Sequence, residues 1–472
     1  MPTLTLDRIW HLARTSPVSL DKHTHSNSSL REASRLLKPG PKEQDEIIVG
    51  LSSGVDSAVS LLLCRYRYPQ CKIRGIFMAN WLSDPMDTPD DSGGNSVSME
   101  ACSIDQDWLQ VKQIGEQFDV PVERVNFERE YWIDVFEPML RKYQIGKTPN
   151  PDIGCNKYVK FGKMVEYLNE YYTRQREMGG LKDWWLVTGH YARIFADADA
   201  DGDGNDNLYR AHYKPKDQSY YLASIDRGIL SKTILPVGDY TKPEIRAIAH
   251  HFGLVPKDKK DSQGICFISQ NGKFKEFLGK YLPANKGNIV TSDGKVWGEH
   301  DGLWTGTIGQ RSGVSMPQGS QEYKGVWMIS DKDITSNSLV ISKKGDGAFF
   351  KKRLRCVDRQ IKDKTMTRWG CDEDVHWWSW MDGKLNSFAH VDPLAPWKRL
   401  AELVCQSPPG SINCQIRSLQ TPNAVTSVST FKDTGEIEIE LENPQFGVAP
   451  GQMLAIYQED RLLGSGEIVL AR

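Results

Sequence analysis

The sequence has no long apolar run: no stretch of 18 apolar residues occurs in its 472 residues, so no membrane-spanning helix and no membrane partner are expected. Cysteine is sparse. There are nine, an odd count, which excludes a disulfide scaffold with every cysteine paired internally. That usage fits a reducing compartment, where a cysteine is structural, metal-binding or reactive. Charge of one sign is also lacking, because 59 Lys and Arg stand against 61 Asp and Glu, a net of −2. The balance excludes a globally basic nucleic-acid coat protein, but not a binder with one local basic face. A Walker loop is missing too: the one Gly-Lys-Thr, at Gly146-Lys147-Thr148, needs a glycine at position 141 and finds Arg141. No all-protein metal cage is visible. What remains is a chain with 39% hydrophobic residues and a mean hydropathy of −0.50. It is long enough for about three domains at roughly 150 residues each.

Residues 1–45 hold little apolar periodicity. Up to Gly40 there are six basic residues against three acidic ones, with frequent Ser and Thr. Such a segment reads as an organelle transit peptide or as a disordered tail. Order begins at Glu46-Ile47-Ile48-Val49-Gly50-Leu51, a buried-strand pattern ending in a Gly/Ser turn. Helical spacing follows over Ser57–Arg67. Strands are expected at Lys72–Ala79, Val120–Phe127 and Trp184–Thr188, and Ser103 with Gln106 reads as a capping box opening a helix. This alternation predicts an α/β domain over 46–270, a parallel sheet with helices on both faces. Ligands of such sheets sit beyond the carboxyl ends of the strands.

Asp84–Ser98 reads as a flexible loop. Asp197–Asp206 imitates a calcium loop, but its twelfth position is Leu208 where a bidentate Glu is needed, so a hairpin tip is favoured. From about residue 271 short alternating runs and Gly/Pro turns predict β-rich domains, drawn here as 271–335 and 336–472. Residues 341–368 hold ten Lys and Arg against three Asp, a candidate face for nucleic-acid phosphates or a solvated loop. In the Trp-rich block that follows (Trp369, Trp377, Trp378, Trp380, Trp397), packing is favoured over base stacking.

Two turns carry chemistry. Gly50-Leu51-Ser52-Ser53-Gly54-Val55-Asp56-Ser57 lies between a strand and a helix, where small residues and free N–H groups suit phosphate. Thr148-Pro149-Asn150-Pro151-Asp152-Ile153-Gly154-Cys155 braces a cysteine with two prolines ahead of a helix. A cysteine at a helix N-terminus gains thiolate character, and Asp152 could handle a proton. A third segment, Asp261-Ser262-Gln263-Gly264-Ile265-Cys266-Phe267-Ile268, takes its meaning from partnership with Cys155. Cys64 and Cys71 read as packing residues.

The first turn resembles the pyrophosphate loop of N-type ATP pyrophosphatases, with Ser53 at the usual first glycine. Together with GIFMANW at 75–81, TGHYAR at 188–193, KDQSYYL at 216–222 and TIGQRSG at 307–313, the set resembles the tRNA-specific 2-thiouridylases. The resemblance implies a PP-loop domain, a small central β domain and a C-terminal β-barrel. It implies adenylation of the wobble uridine C2 oxygen with ATP, then sulfur transfer from a cysteine persulfide; Mg2+ with the ATP is expected from general phosphate chemistry.

By the same resemblance Gly50, Leu51, Ser52, Ser53, Gly54, Val55, Asp56 and Ser57 hold the ATP phosphates, with Met78 and Gly189 at the nucleotide. Asn150, Pro151 and Asp152 meet the target uridine, with Asp152 as acid/base. Cys155 is the nucleophile and Cys266 the persulfide carrier. Lys216, Asp217, Gln218 and Arg417 meet tRNA. Ser418, where the family has Tyr, departs from the pattern. The implied partners are tRNAs for Lys, Glu and Gln, a persulfide sulfur donor protein and a reductant. Placement is expected to be mitochondrial, otherwise cytoplasmic. Rival readings are a small-molecule adenylating enzyme, for which no glutaminase segment is evident, and a tRNA binder without catalysis. An iron–sulfur cluster wants three or four cysteines in such loops, and two are present.

Overall fold

Ile47-Ile48-Val49 is apolar without alternation, the pattern of a strand covered on both faces. In the computed structural model all three are fully buried. The structure describes residues 40–81, 101–177, 183–197, 206–261, 274–357, 395–431 and 436–472, with the backbone of 35–36 and 378–379. The chain divides into two compact units: Met1–Trp132 with Cys155–Gln270, and Ile133–Gly154 with Asn271–Arg472.

The first unit is built on β1 (Glu46–Gly50), α1 (Val55–Arg67), β2 (Lys72–Ala79), α2 (Ala101–Phe118), β3 (Val122–Asn126), α3 (Met164–Glu177) and β4 (Trp184–Val187). A hairpin of β5 (Ala192–Asp197) and β6 (Asp206–Arg210) follows, then β7 (Thr233–Ile234) and α4 (Lys242–His251). Five strands form a sheet in the order β3-β2-β1-β4-β7, and each neighbouring pair is parallel. The order reverses at β1, so the crevice of this sheet lies at the carboxyl end of β1, where the Gly/Ser turn begins. Val59 and Leu62 of α1 pack with Val49, Phe77, Val187 and Ile245 in one buried cluster. The expected strands and α1 are therefore present, with ends moved by a residue or two. Ser103 is a correction: α2 starts at Ala101, so Ser103 lies inside the helix instead of capping it. β5 and β6 pair antiparallel, Ala196 opposite Asp206, as a hairpin requires.

In the second unit, β8 (Gly287–Thr291), β9 (Val296–His300), β10 (Trp327–Asp333) and β11 (Ser338–Lys343) form a small sheet ordered β9-β8-β11-β10. Its last strand ends at Lys343, so strand pairing carries this domain past residue 335. Six further strands of this unit are β12 (Phe350–Val357), β13 (Ile412–Gln415), β14 (Asn423–Phe431), β15 (Glu436–Phe446), β16 (Met453–Gln458) and β17 (Arg461–Ala471). They close on themselves in the order β12-β15-β14-β13-β16-β17 and back to β12. Closure leaves no free edge among these six strands. In β15 the isoleucines Ile437 and Ile439 are fully buried, while Glu438 and Glu440 face the other way.

That alternation changes the reading of the basic run. Lys352 pairs with Glu440 at 3.4 Å, and Arg353 and Arg355 pair with Glu438 at 3.9 and 3.0 Å. Three cations of the run are thus paired with carboxylates of the neighbouring strand. Trp397, 5% exposed, joins the barrel core, so for this residue the packing reading holds.

Segment Ile133–Gly154, drawn from sequence inside the 46–270 domain, groups with the β-rich unit. Aromatic packing explains it: Phe136 lies 5.9 Å from Phe277 and 5.0 Å from Tyr281, and Tyr143 lies 5.4 Å from Phe274, centroid to centroid.

Candidate functional site

The Gly/Ser turn leaves β1 with the Leu51 N–H still bonded to the Ile76 carbonyl at 2.8 Å, which anchors the start of the loop to the sheet. Ser57 ties the loop together. Its Oγ accepts from the Ser52 N–H at 3.1 Å and lies 3.0 and 3.1 Å from the carbonyl oxygens of Ser52 and Gly54. Gly54 caps α1 with no side-chain hydrogen bond, so the first N–H groups of a 13-residue helix have no cap competing for them. Ser53 is not among the residues with positive φ, so the missing glycine causes no backbone strain. Its hydroxyl instead donates to Asp107 Oδ1 at 2.5 Å.

Gly189 explains its own identity. A Cβ there would stand 2.9 Å from the Ser57 nitrogen and 3.0 Å from the Asp56 carbonyl carbon. Only a residue without a side chain lets the β4 carboxyl end approach the turn this closely. Met78 reaches the same place, its Cε 3.9 Å from a Cβ built on Gly50. These features fit an anion against the helix N-terminus with a flat group beside Met78.

Asp56 opens a chain of ion pairs across distant motifs. Its carboxylate accepts from Tyr191 Oη at 2.8 Å and from Lys242 Nζ at 2.7 and 2.9 Å. Lys242 also lies 2.9 Å from Asp261 Oδ1. Arg246 pairs with that same oxygen at 2.5 Å, and Lys216 with Asp261 Oδ2 at 2.6 Å. Burial opposes ionisation of Asp261, but its bonds to Lys216 and Lys242 outweigh it and hold the carboxyl well below the usual range. Tyr191 is pushed the other way, by burial and then by Asp56, and stays a neutral donor. Lys259 bonds Ser53 Oγ, Asp107 at 2.8 Å and Gln110 at 3.0 Å. Sequence reasoning missed Tyr191, Lys242, Arg246 and Lys259 as site residues. Tyr191 lay in a quoted motif, whereas the lysines and Arg246 had no local signal.

Residues 216–218 do different jobs from one another. Asp217 is 4% exposed, and burial raises its pKa against the pull of its bonds to the Ala211 N–H and to Ser219. Those bonds build its own turn. Gln218 clamps Tyr191, accepting from its N–H at 2.9 Å through Oε1 and donating its own N–H to the Tyr191 carbonyl at 2.8 Å. Lys216 and Gln218 are both partly exposed, and of the three only Asp217 is buried. His190 beside them is held down at about 3 by burial and Lys160, and its Nδ1 lies 2.8 Å from Thr188 Oγ1.

Cys155 is 3% exposed. Helical backbone begins four residues earlier, at Pro151, so Cys155 sits in the second turn and not at the N-terminus expected for it. The macrodipole effect fades within the first turn, which removes that source of thiolate character. Asn150 caps the new start: its Oδ1 accepts from the Asp152 N–H at 3.0 Å. Pro151 is buried and Asp152 half-buried. Cys266, with the rest of its motif after Asp261, lies outside the described residues. Arg417 is exposed, and its guanidinium bonds the Gly447 carbonyl; Ser418 is half-buried. Cys64 is fully packed and pushed up to about 12 by burial, and Cys71 donates to the Lys42 carbonyl, as packing residues should. Among the described residues no group of three or more metal-ligating side chains occurs, and no helix is long and apolar enough to cross a membrane.

Three family profiles match in succession: a tRNA methyl transferase HUP domain over 45–270, a tRNA methyl transferase PRC-barrel domain over 275–343, and an aminomethyltransferase beta-barrel domain over 399–468. The mitochondrial tRNA-specific 2-thiouridylase 1 of Saccharomyces cerevisiae is 41% identical, covering 91% of this chain and 92% of that protein. The tRNA-specific 2-thiouridylases of Enterococcus faecalis and Limosilactobacillus reuteri are 40% and 35% identical, each over 89% of this chain and 94% of its own length.

Proposed function

Because this chain belongs to the family of tRNA-specific 2-thiouridylases, we propose that it converts the wobble uridine of tRNA to 2-thiouridine in two stages. The observation that carries the reading is the ion-pair chain Asp56–Lys242–Asp261–Lys216, which brings the phosphate turn, the start of the Cys266 motif and residue 216 together. ATP, with Mg2+, supplies the adenylyl group. A uracil carbonyl oxygen leaves poorly, and adenylation turns it into a good leaving group.

The turn 50–57 binds phosphate through the N–H groups of α1. Met78 and Gly189 line the nucleotide. Lys242 and Lys259 bring positive charge to a loop that has none. Lys216 faces tRNA, while Asp217 and Gln218 hold its turn and Tyr191 in place. Arg417 and Ser418 add a tRNA contact from the barrel. Asn150, Pro151 and Asp152 meet the uridine, with Asp152 moving a proton. The base must leave the anticodon stack for its C2 to be reached.

Sulfur arrives as a persulfide on Cys266, loaded by a donor protein. Either the terminal sulfur attacks C2 and displaces AMP, after which Cys155 thiolate attacks the Cys266 sulfur and frees the thiolated base, or Cys155 thiolate first attacks that sulfur and expels hydrosulfide, which then attacks C2 and displaces AMP. Both routes release AMP and leave a Cys155–Cys266 disulfide, which requires Cα atoms about 4.4–6.8 Å apart at that stage. A reductant then resets the pair. The tRNAs proposed are those for Lys, Glu and Gln. Likeness to a mitochondrial relative and the basic, Ser/Thr-rich segment before residue 46 support a mitochondrial location.

Two measurements test the reading. Asp56→Ala should abolish tRNA-dependent pyrophosphate release while the chain stays folded. Persulfide-loaded enzyme, given tRNA under limiting reductant, should yield a trappable Cys155–Cys266 disulfide. Thiolated tRNA with no such disulfide on peptide mapping would overturn the paired-cysteine step.

A further inference from the structure

The loop that carries Asn150, Pro151 and Asp152 is fastened to the barrel by a buried charge cluster that no motif announces. Glu467 on β17 is 3% exposed. Its Oε2 accepts from Lys142 Nζ at 2.7 Å and its Oε1 from Lys147 Nζ at 2.9 Å, so both oxygens are used. Lys147 is itself 7% exposed. The next residue is gripped by backbone: the Thr148 N–H donates to the Pro450 carbonyl at 2.8 Å. Gly451, at φ +91, comes so close that a Cβ on it would stand 2.9 Å from the Thr148 nitrogen. Tyr143 adds a weaker tie, its hydroxyl 3.4 Å from the Pro149 carbonyl.

A buried ion pair is a poor device for stability, because removing two charges from water offsets most of their attraction. An apolar pair of similar volume often serves as well or better. What a carboxylate gripped at both oxygens does supply is direction: it fixes where Lys147 stands, and with it the start of the loop. Thr148 through Asp152 then follow within five residues. All these groups, from Lys142 to Glu467, lie in the same compact unit.

We propose that Glu467 is a positioning residue for thiolation, fixing through Lys142 and Lys147 the place from which residues 150–152 meet the target base. The proposal rests on the reading that those residues contact uridine.

The test uses the full chain with tRNA substrate and follows pyrophosphate release, 2-thiouridine formation and thermal unfolding. Glu467→Gln keeps the side-chain shape but loses the charge that grips both lysines. It should lower kcat for thiolation at least tenfold and leave the KM for ATP unchanged. The double variant Lys147→Met with Glu467→Leu replaces the pair by apolar groups and keeps the fold. It should regain thermal stability without regaining turnover, which a merely structural pair would not do. Wild-type kcat in that double variant overturns the proposal, as does failure of both variants to fold, which would make the cluster a folding element only. Asn150→Ala separates the two readings. If it leaves kcat/KM for tRNA untouched, the uridine contact itself is wrong. If it lowers kcat/KM while Glu467→Gln is fully active, the contact stands and the positioning role falls.

Discussion

Gly189→Ala probes the phosphate turn without touching any polar group. The added methyl would lie 2.9 Å from the Ser57 nitrogen, 3.0 Å from the Asp56 carbonyl carbon and 3.2 Å from the Asp56 Cβ. Two of these are backbone atoms, so no side-chain rotation relieves the clash. Ordinary contact begins near 3.4 Å, and the turn must retreat by about half an ångström from β4. Overpacking of this kind costs about 1–3 kcal/mol. If the displaced N–H groups are the ones that bind phosphate, that cost appears in the nucleotide-bound state. It then becomes a loss in kcat/KM for ATP of about 5- to 150-fold. If the cost falls on folding alone, the melting temperature drops and the ATP constants stay put. The assay is pyrophosphate release against ATP concentration at saturating tRNA, run beside thermal unfolding. Gly347→Ala is the control, since a Cβ there meets nothing within 4 Å. A folded Gly189→Ala enzyme with wild-type ATP dependence would refute the argument that this approach shapes the nucleotide site.

Two further outcomes follow from charge. Lys352→Gln with Arg353→Gln should leave the salt dependence of tRNA binding unchanged, because Glu440 and Glu438 already answer these residues; a log–log slope flattened by about 0.7–0.9 per residue would show that they contact phosphates after all. Burial disfavours the Glu467 carboxylate, but Lys142 and Lys147 outweigh it and bring its pKa from 4.5 to about 2. A depressed carboxylate stabilises the fold above its unfolded pKa, so the contribution is complete above about pH 4.5 and fades as pH falls towards 2, about 3 kcal/mol in all. Urea unfolding at pH 6 and pH 3 should show Glu467→Gln losing less stability than wild type across that interval, and equal losses would refute the assignment.

What the sequence made legible was whatever depends on neighbours in the chain. The apolar run Ile47–Val49 needs two covered faces, and the Gly/Ser turn after it leads into apolar residues at helical spacing over Ser57–Arg67, so β1, the turn and α1 were readable together. The alternation in Glu436–Leu441 gave a strand, but its meaning for the basic run was hidden. A charge run looks the same whether it faces phosphate or a row of glutamates, until strand register sets Arg355 opposite Glu438. Cys155 was misplaced by one helical turn because Pro151, acceptable at a first helical position, looked like a brace before the helix. The allegiance of Ile133–Gly154 was invisible, since Phe136 and Tyr143 find their partners more than a hundred residues downstream.

The same logic accounts for the charge of the phosphate turn. Residues 50–57 contain one charged side chain, Asp56, and it is negative. Phosphate binding by N–H groups alone leaves most of a triphosphate's charge unanswered, so cations must come from elsewhere. The fold supplies Lys216, Lys242, Arg246 and Lys259, set against Asp56, Asp107 and Asp261, a surplus of 4 − 3 = +1 around the turn. Each cation is held by a carboxylate, so the cluster can stand without nucleotide and avoid mutual repulsion. In the proposed anion site Asp56 then has a physical reason to be acidic: it orients Lys242 and accepts from Tyr191. Removing Asp56 would free Lys242 from one anchor and leave it on Asp261 alone. Loss of activity in Asp56→Ala is therefore expected through a misplaced cation, with the backbone of the turn still able to fold.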